Sequence, residues 1–175
     1  DNQIEVIGFS SDTIAGSYDV DISTIATQAE ITGASVPGLS GPITIDADND
    51  ELTVTVDGTT SGTINLTQGS YADGDALALH MQTRINADAT LTADEVQVTV
   101  SYDATNQTLV FNSNTYGSNS NLGFDSVDTD MLAELGLDVV NADSNVGVDV
   151  AGFINGIEGT GTGQFLTIPA GPVPA

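Results

Sequence analysis

Asp73-Gly74-Asp75-Ala76-Leu77-Ala78-Leu79-His80-Met81-Gln82-Thr83-Arg84-Ile85-Asn86, followed after a short gap by Glu95-Val96-Gln97-Val98-Thr99-Val100-Ser101-Tyr102-Asp103, changes hydrophobic period once, and that change decides the fold. In the first stretch Leu77, Ala78, Met81 and Ile85 fall on one stripe, the buried face of an amphipathic helix over about 73–87. Ser70 or Asp73 can cap its start. Leu79 lies off the stripe, and the pattern does not account for it. The second stretch alternates strictly, the mark of a half-buried strand. Asp103-Ala104-Thr105-Asn106 then turns the chain into a pairing strand over 107–112.

Upstream, 43–46 and 51–57 alternate across Ala47-Asp48-Asn49-Asp50, which predicts a hairpin. Asp57-Gly58 opens a second turn into a strand over 62–68. Downstream come a loop at 118–121, a strand at 122–127 and a short helix at 130–135 ended by Gly136. Farther out, 3–9 reads as a short strand. Residues 17–26 set Tyr18, Val20 and Ile22 opposite Asp19, Asp21 and Ser23. Residues 146–157 and 164–168 read as a last strand pair across the Gly-rich 159–163. Pro37 and Pro42 with Gly38 and Gly41 mark a hinge, and Pro169, Pro172 and Pro174 mark a linker. The expected fold is therefore α+β, predominantly β, with antiparallel modules and one amphipathic helix. Residues 1–36 plus 143–168 form a discontinuous outer β module. Residues 43–142 form an inserted β/α module, and 169–175 a linker.

Composition removes whole classes of function. The chain has 175 residues, 25 acidic side chains, one basic one (Arg84) and a formal charge of -24. Such a chain binds neither nucleic acid, whose affinity comes from Lys and Arg, nor an anionic membrane through a basic patch. No apolar run is long enough to span a bilayer. The absence of Cys removes disulfides, thiolate metal sites and Cys nucleophiles. Yet 39% of residues are hydrophobic and fall in short patterned stretches, unlike a disordered acidic tail. One Arg cannot neutralise these carboxylates, so the chain tolerates self-repulsion, which points to a saline, extracellular setting. The start lacks an initiator Met and a signal-peptide pattern, so a piece of a longer chain is expected.

No catalytic or cofactor-binding residue is expected. His80 is the single His, and a Ser-His-Asp arrangement would have to use it. Its place on a helix flank, four residues before Arg84, reads as an exposed helix position. Paired carboxylates for glycoside hydrolysis need an apolar, usually aromatic-lined cleft, and the chain has no Trp. Asp46, Asp48 and Asp50 have the spacing of a calcium loop, with Asp57 at the twelfth position. Glu51 stands where such a loop needs Gly, so an Asp-rich turn is the preferred reading. Asp125, Asp128 and Asp130 form a second, looser cluster. The Gly-rich 159–163 lacks the Lys and following helix of a phosphate loop.

Several stretches resemble the bacterial flagellar filament cap family, also called hook-associated protein 2. Ala15-Gly16-Ser17-Tyr18-Asp19-Val20-Asp21-Ile22, then Ile25-Ala26-Thr27-Gln28-Ala29, is similar to that family's strand. Leu52-Thr53-Val54-Thr55-Val56-Asp57-Gly58, Ile64-Asn65-Leu66-Thr67, Gly69-Ser70-Tyr71 and Ile85-Asn86-Ala87 resemble the flagellin hook IN motif. Gly147-Val148-Asp149-Val150-Ala151-Gly152-Phe153-Ile154-Asn155-Gly156 with Gly161-Thr162-Gly163-Gln164-Phe165-Leu166-Thr167 resembles the family's most specific element. Phe153 stands there for the usual Thr, and Glu158-Gly159 for a small Ala pair. The resemblance implies a non-enzymatic structural and assembly role at the filament tip, with flagellin and other flagellar subunits as partners. It also implies a homo-oligomer formed through heptad-bearing regions that this chain lacks. The alternatives are a variable outer domain of a flagellin, or a calcium-dependent adhesin or glycan-binding module.

Overall fold

The computed structural model describes residues 4–169. In chain order it contains β1 (Val20–Thr24), β2 (Glu30–Thr32), β3 (Ile43–Ile45), β4 (Glu51–Val56), β5 (Thr59–Thr60), β6 (Ile64–Asn65) and β7 (Gly69–Tyr71). Helices α1 (Gly74–Asn86) and α2 (Ala89–Ala93) follow, then β8 (Val98–Asp103), β9 (Thr108–Ser113), β10 (Leu122–Val127) and α3 (Met131–Leu135). The chain ends in β11 (Ala151–Ile154), β12 (Ile157–Glu158), β13 (Thr160–Thr162) and β14 (Phe165–Thr167). Every strand pairing is antiparallel. The fold is α+β and predominantly β.

Helix α1 forms where its stripe predicts. Asp73 is its N-cap, and the carboxylate accepts the Ala76 N–H at 2.9 Å. Leu77, Ala78, Met81 and Ile85 are buried, while Leu79 points outward at 65% exposure. The helix lies on β8, the edge strand of the β2-β9-β8 sheet. Gln82 accepts the Val100 N–H at 2.9 Å, and Asn86 bonds both the N–H and the carbonyl of Val98 at 2.9 Å. These side-chain amides occupy backbone groups that an open edge would offer to another chain. Gly74 brings the helix start onto Tyr102, whose ring would lie 2.5 Å from any Cβ there.

The β8–β9 pair is the predicted hairpin, with Val100 opposite Phe111. Asp57 and Gly58, at φ 50° and 85°, make the two-residue turn between β4 and β5. Helix α3 ends on Gly136 in the left-handed region at φ 75°. A second sheet runs β10-β4-β5, with β6 also on β4. Phe111 of β9 and Phe124 of β10, both 1% exposed, meet edge to face at 5.0 Å and lock the two sheets together. Leu39, Leu52, Met81, Leu91 and Met131 are among the residues that fill the core around that pair.

Four expectations are corrected. Residues 4–9 form no strand: Ile4, Val6, Ile7 and Phe9 are 64–82% exposed, and among the described residues no strand pairs with them; Gln3 lies outside the described residues. Strands β3 and β4 do not pair as a hairpin. β3 pairs with β7 and β4 with β10, because the turn between them splays the strands into different sheets. Residues 146–157 and 164–168 do not pair with each other. Two tight hairpins stand there instead, β11–β12 across Asn155-Gly156 and β13–β14 across Gly163-Gln164. Their positive-φ residues, Asn155, Gly156 and Gly163, set two-residue turns that local pairing favours. Helix α2, which the pattern does not predict, is too short to show a period; Asp88 caps it and Leu91 is buried.

β1 pairs with β11, Val20 opposite Ile154, so the first and last parts of the chain meet. β2, however, pairs with β9, Ile31 opposite Phe111, so sheet membership does not follow the expected boundary at residue 36. The linker lies beyond the described residues from 170 onward.

Candidate functional site

The Asp-rich turn before β4 is built around Asn49, which is fully buried. Its side-chain carbonyl accepts the Asp46 N–H at 2.8 Å, and its amide donates to the Thr44 carbonyl and to Glu134. Asp46 accepts the Asp48 N–H at 3.0 Å, and Asp50 accepts from the Gln68 amide at 2.8 Å. The second acidic cluster lies against this turn. Asp128 accepts the Glu51 N–H at 2.7 Å, and the Asp130 N–H donates to the Asp48 carbonyl at 3.1 Å. Asp125 takes the Thr55 hydroxyl instead. The Asp46 and Asp50 carboxylates thus accept bonds within the turn and from Gln68, while Asp48 takes part through its backbone. Among the described residues no three His, Cys, Asp or Glu side chains group as a metal site. Asn49 carries no acid signal, so a search for ligands passes over it; its place inside an Asx-rich turn is the available clue.

Asp57, the twelfth position of the calcium spacing, faces away from that turn. Its Oδ1 accepts the Ser113 hydroxyl at 2.7 Å and the Asn121 N–H at 3.1 Å. Oδ2 is buried without a protein partner.

His80 is half-buried rather than exposed. Its Nε2 accepts the Thr67 N–H at 3.0 Å, so the ring is neutral with its proton on Nδ1. The Tyr71 ring lies 5.0 Å away, and the Tyr71 hydroxyl donates to the Thr67 carbonyl at 2.7 Å. One turn along α1, Arg84 Nε donates to the Asn65 carbonyl at 2.8 Å. Burial first, and Arg84 second, hold the imidazole below its ordinary range. Among the described residues no Ser hydroxyl or carboxylate is bonded to the ring, whose hydrogen-bond partner is the Thr67 N–H.

The element from 147 to 167 converges on Asp149. One carboxylate oxygen accepts the Ser118 N–H at 3.0 Å and the Gly163 N–H at 2.7 Å. These bonds tie the loop before β10 to the turn of the β13–β14 hairpin. Ser118, and then the Gly163 N–H, hold this carboxyl below the usual carboxylate range. A Cβ at Gly117 would sit 2.1 Å from the same carboxylate, and one at Gly161 would sit 1.8 Å from the Val150 carbonyl. The segments touch backbone to backbone, and a side chain at either glycine would part them. This junction has the form of a structural joint, in which Asp149 ties two loops together. Two surface grooves, one beside Val36 and Glu134 and one beside Arg84 and Asp88, lie elsewhere.

No protein-family model and no curated protein sequence matches the chain. Solved structures do. Domains of the flagellar cap protein FliD from Escherichia coli are similar at a TM-score of 0.51 and 17% identity, over 86% of this chain and 44% of that one. FliD from Pseudomonas aeruginosa gives 0.49 and 16%, over 89% and 70%. FliD domains from Serratia marcescens give 0.48 and 19%, over 85% and 80%. The chain spans less than half of the Escherichia coli chain. The fold is FliD-like.

Proposed function

We propose that this chain is the β-rich outer part of a bacterial flagellar filament cap protein, an extracellular, non-enzymatic component that promotes flagellin assembly at the filament tip. The observation that carries the reading is the FliD-like fold over 86% of the chain, together with the cap-like sequence element at 147–167. That element forms the joint around Asp149. The hook-motif resemblance of the stretches between Leu52 and Ala87 fits the same reading. On this reading the partners are flagellin and other flagellar subunits. Oligomerisation lies in heptad-bearing regions beyond these β modules. No helix among the described residues is long and apolar enough to cross a membrane.

The test is a chimera in which this chain replaces the outer domains of the cap protein of a motile bacterium. Full-length filaments and restored swimming are expected. Export of the chimera with flagellin lost to the medium as monomer would overturn the reading. Calcium tests the adhesin alternative. Millimolar calcium should stabilise the chain no more than magnesium at matched ionic strength. A calcium-specific rise in Tm abolished by Asp48→Asn would favour the adhesin.

A further inference from the structure

The single His and the single Arg of this acidic chain are spent on one short segment. Residues 65–68 cross from β6, which pairs with β4, to β7, which pairs with β3. The crossover therefore links the two sheets that the Asp-rich turn splays apart. Three side chains hold its backbone: Arg84 the Asn65 carbonyl, His80 the Thr67 N–H, and Tyr71 the Thr67 carbonyl. Leu66 between them is 2% exposed, while Thr67 itself is open to solvent. The Thr67 N–H thus has the imidazole nitrogen as its hydrogen-bond partner.

We propose that His80 is a proton-operated latch: neutral, it holds the 65–68 crossover on α1; protonated, it lets the crossover go. The chemistry is direct. A protonated Nε2 carries a hydrogen and has no lone pair for the Thr67 N–H. An imidazolium four residues before Arg84 on one helix is also a like-charge pair. Among the described residues no carboxylate hydrogen-bonds the ring, although the nearby ones keep their negative charge. Tyr71 on β7 keeps its hydroxyl on Thr67. Asp50, from the turn before β4, is taken by the Gln68 amide. Asp73 at the start of α1 is taken by the Ala76 N–H, and Asp75 lies one turn toward that end. Local burial and Arg84 both favour the neutral ring. The latch does not depend on the flagellar reading.

The experiment is amide hydrogen exchange by NMR on the intact chain, with the imidazole tautomer read from its nitrogen shifts. At neutral pH the proton should reside on Nδ1. As the pH falls below about 6.5, the protection factor of the Thr67 amide should drop, by at most about tenfold per pH unit, the one-proton limit. Val54 and Val100, in the sheets, should keep theirs. In His80→Phe the Thr67 protection should be low at neutral pH and independent of pH. If that variant does not fold, Tyr71→Phe, which leaves the imidazole in place, should show lower protection but the wild-type pH response. Constant Thr67 protection between about pH 7.5 and about pH 5 in the wild type would overturn the latch. So would an unchanged pH response in His80→Phe, or its loss in Tyr71→Phe.

Discussion

The region from Ala29 to Val140 and the layer made by β1 with β11–β14 are both antiparallel sheet, yet different forces hold them. The first is specified by side-chain volume. Phe111, Phe124, Leu77 and Met81 are at most 1% exposed and touch across sheets and helix. The second buries little: Ile22, Phe153 and Phe165 are 36%, 38% and 55% exposed. It is specified instead by missing side chains. A Cβ at Gly152 would lie 2.2 Å from the Asp21 carbonyl, and one at Gly147 would lie 2.4 Å from the Thr27 carbonyl. The first region has close glycines too, among them Gly74 against Tyr102 and Gly136 against the Ala34 carbonyl; what separates the two is how much side-chain volume each buries.

The largest effect should come from taking atoms out of the core. Phe124→Ala removes one half of the edge-to-face pair, and a loss of about 3–5 kcal/mol is expected in denaturant unfolding. A loss below ~1 kcal/mol would mean that the sheets are not joined there. Adding atoms to the outer layer should cost less and act locally. Gly152→Ala should destabilise by about 1–3 kcal/mol, the range for overpacking. Hydrogen exchange should rise in β1 and β11 while the β8–β9 pair stays protected. Uniform loss across both regions would show that they unfold as one.

Much of this contrast was legible in the sequence, and the reason is locality. Helix α1, its Asp73 cap, the β8–β9 hairpin and the Gly136 stop are all written within a few residues of themselves. The register of β3, β4 and β10 is not. Both β3 and β4 alternate correctly, but nothing local says that their partners are β7 and β10. The unpaired 4–9 stretch fails for the same reason, since alternation states a preference for a sheet and supplies no neighbour. At the candidate sites the turn at 46–50 was legible, and its organiser Asn49 was not. Asp149 sat within a recognised element, but its role depends on Ser118 and Gly163, which only the fold brings together.

Acid should probe both regions by a smaller amount. Asp149 in the joint and Asp103 in the β8–β9 turn are both held below the ordinary carboxylate range. Ser118 is the main cause for the first, and the Asn106 side chain for the second. Carboxyls lowered in the fold stabilise it above their unfolded value of about 3.9. That contribution is lost as the pH falls through the folded values. Charge crowding alone would raise carboxyl pKa values and give the opposite sign; at these two positions hydrogen bonds win. Asp149→Ala should remove the part of the acid response seen in β13–β14 and leave the β8–β9 part. An unchanged acid profile in β13–β14 would detach Asp149 from the joint. The smallest effect belongs to Leu79→Gln, which should change stability by no more than about 0.5 kcal/mol. A larger loss would mean that its exposed side chain is covered by something.

The pairing of β1 with β11 also has a consequence in time. Val20 meets Ile154, and Val56 meets Leu122, so neither region closes until most of the chain has been made available. Sheets dominated by such distant partners fold in about milliseconds to seconds rather than microseconds. During that wait the strand over Val20–Thr24 is an open edge, ready to recruit a neighbouring chain. Asp19 and Asp21 are exposed beside and on that strand, and charges placed on an open edge disfavour pairing with another chain.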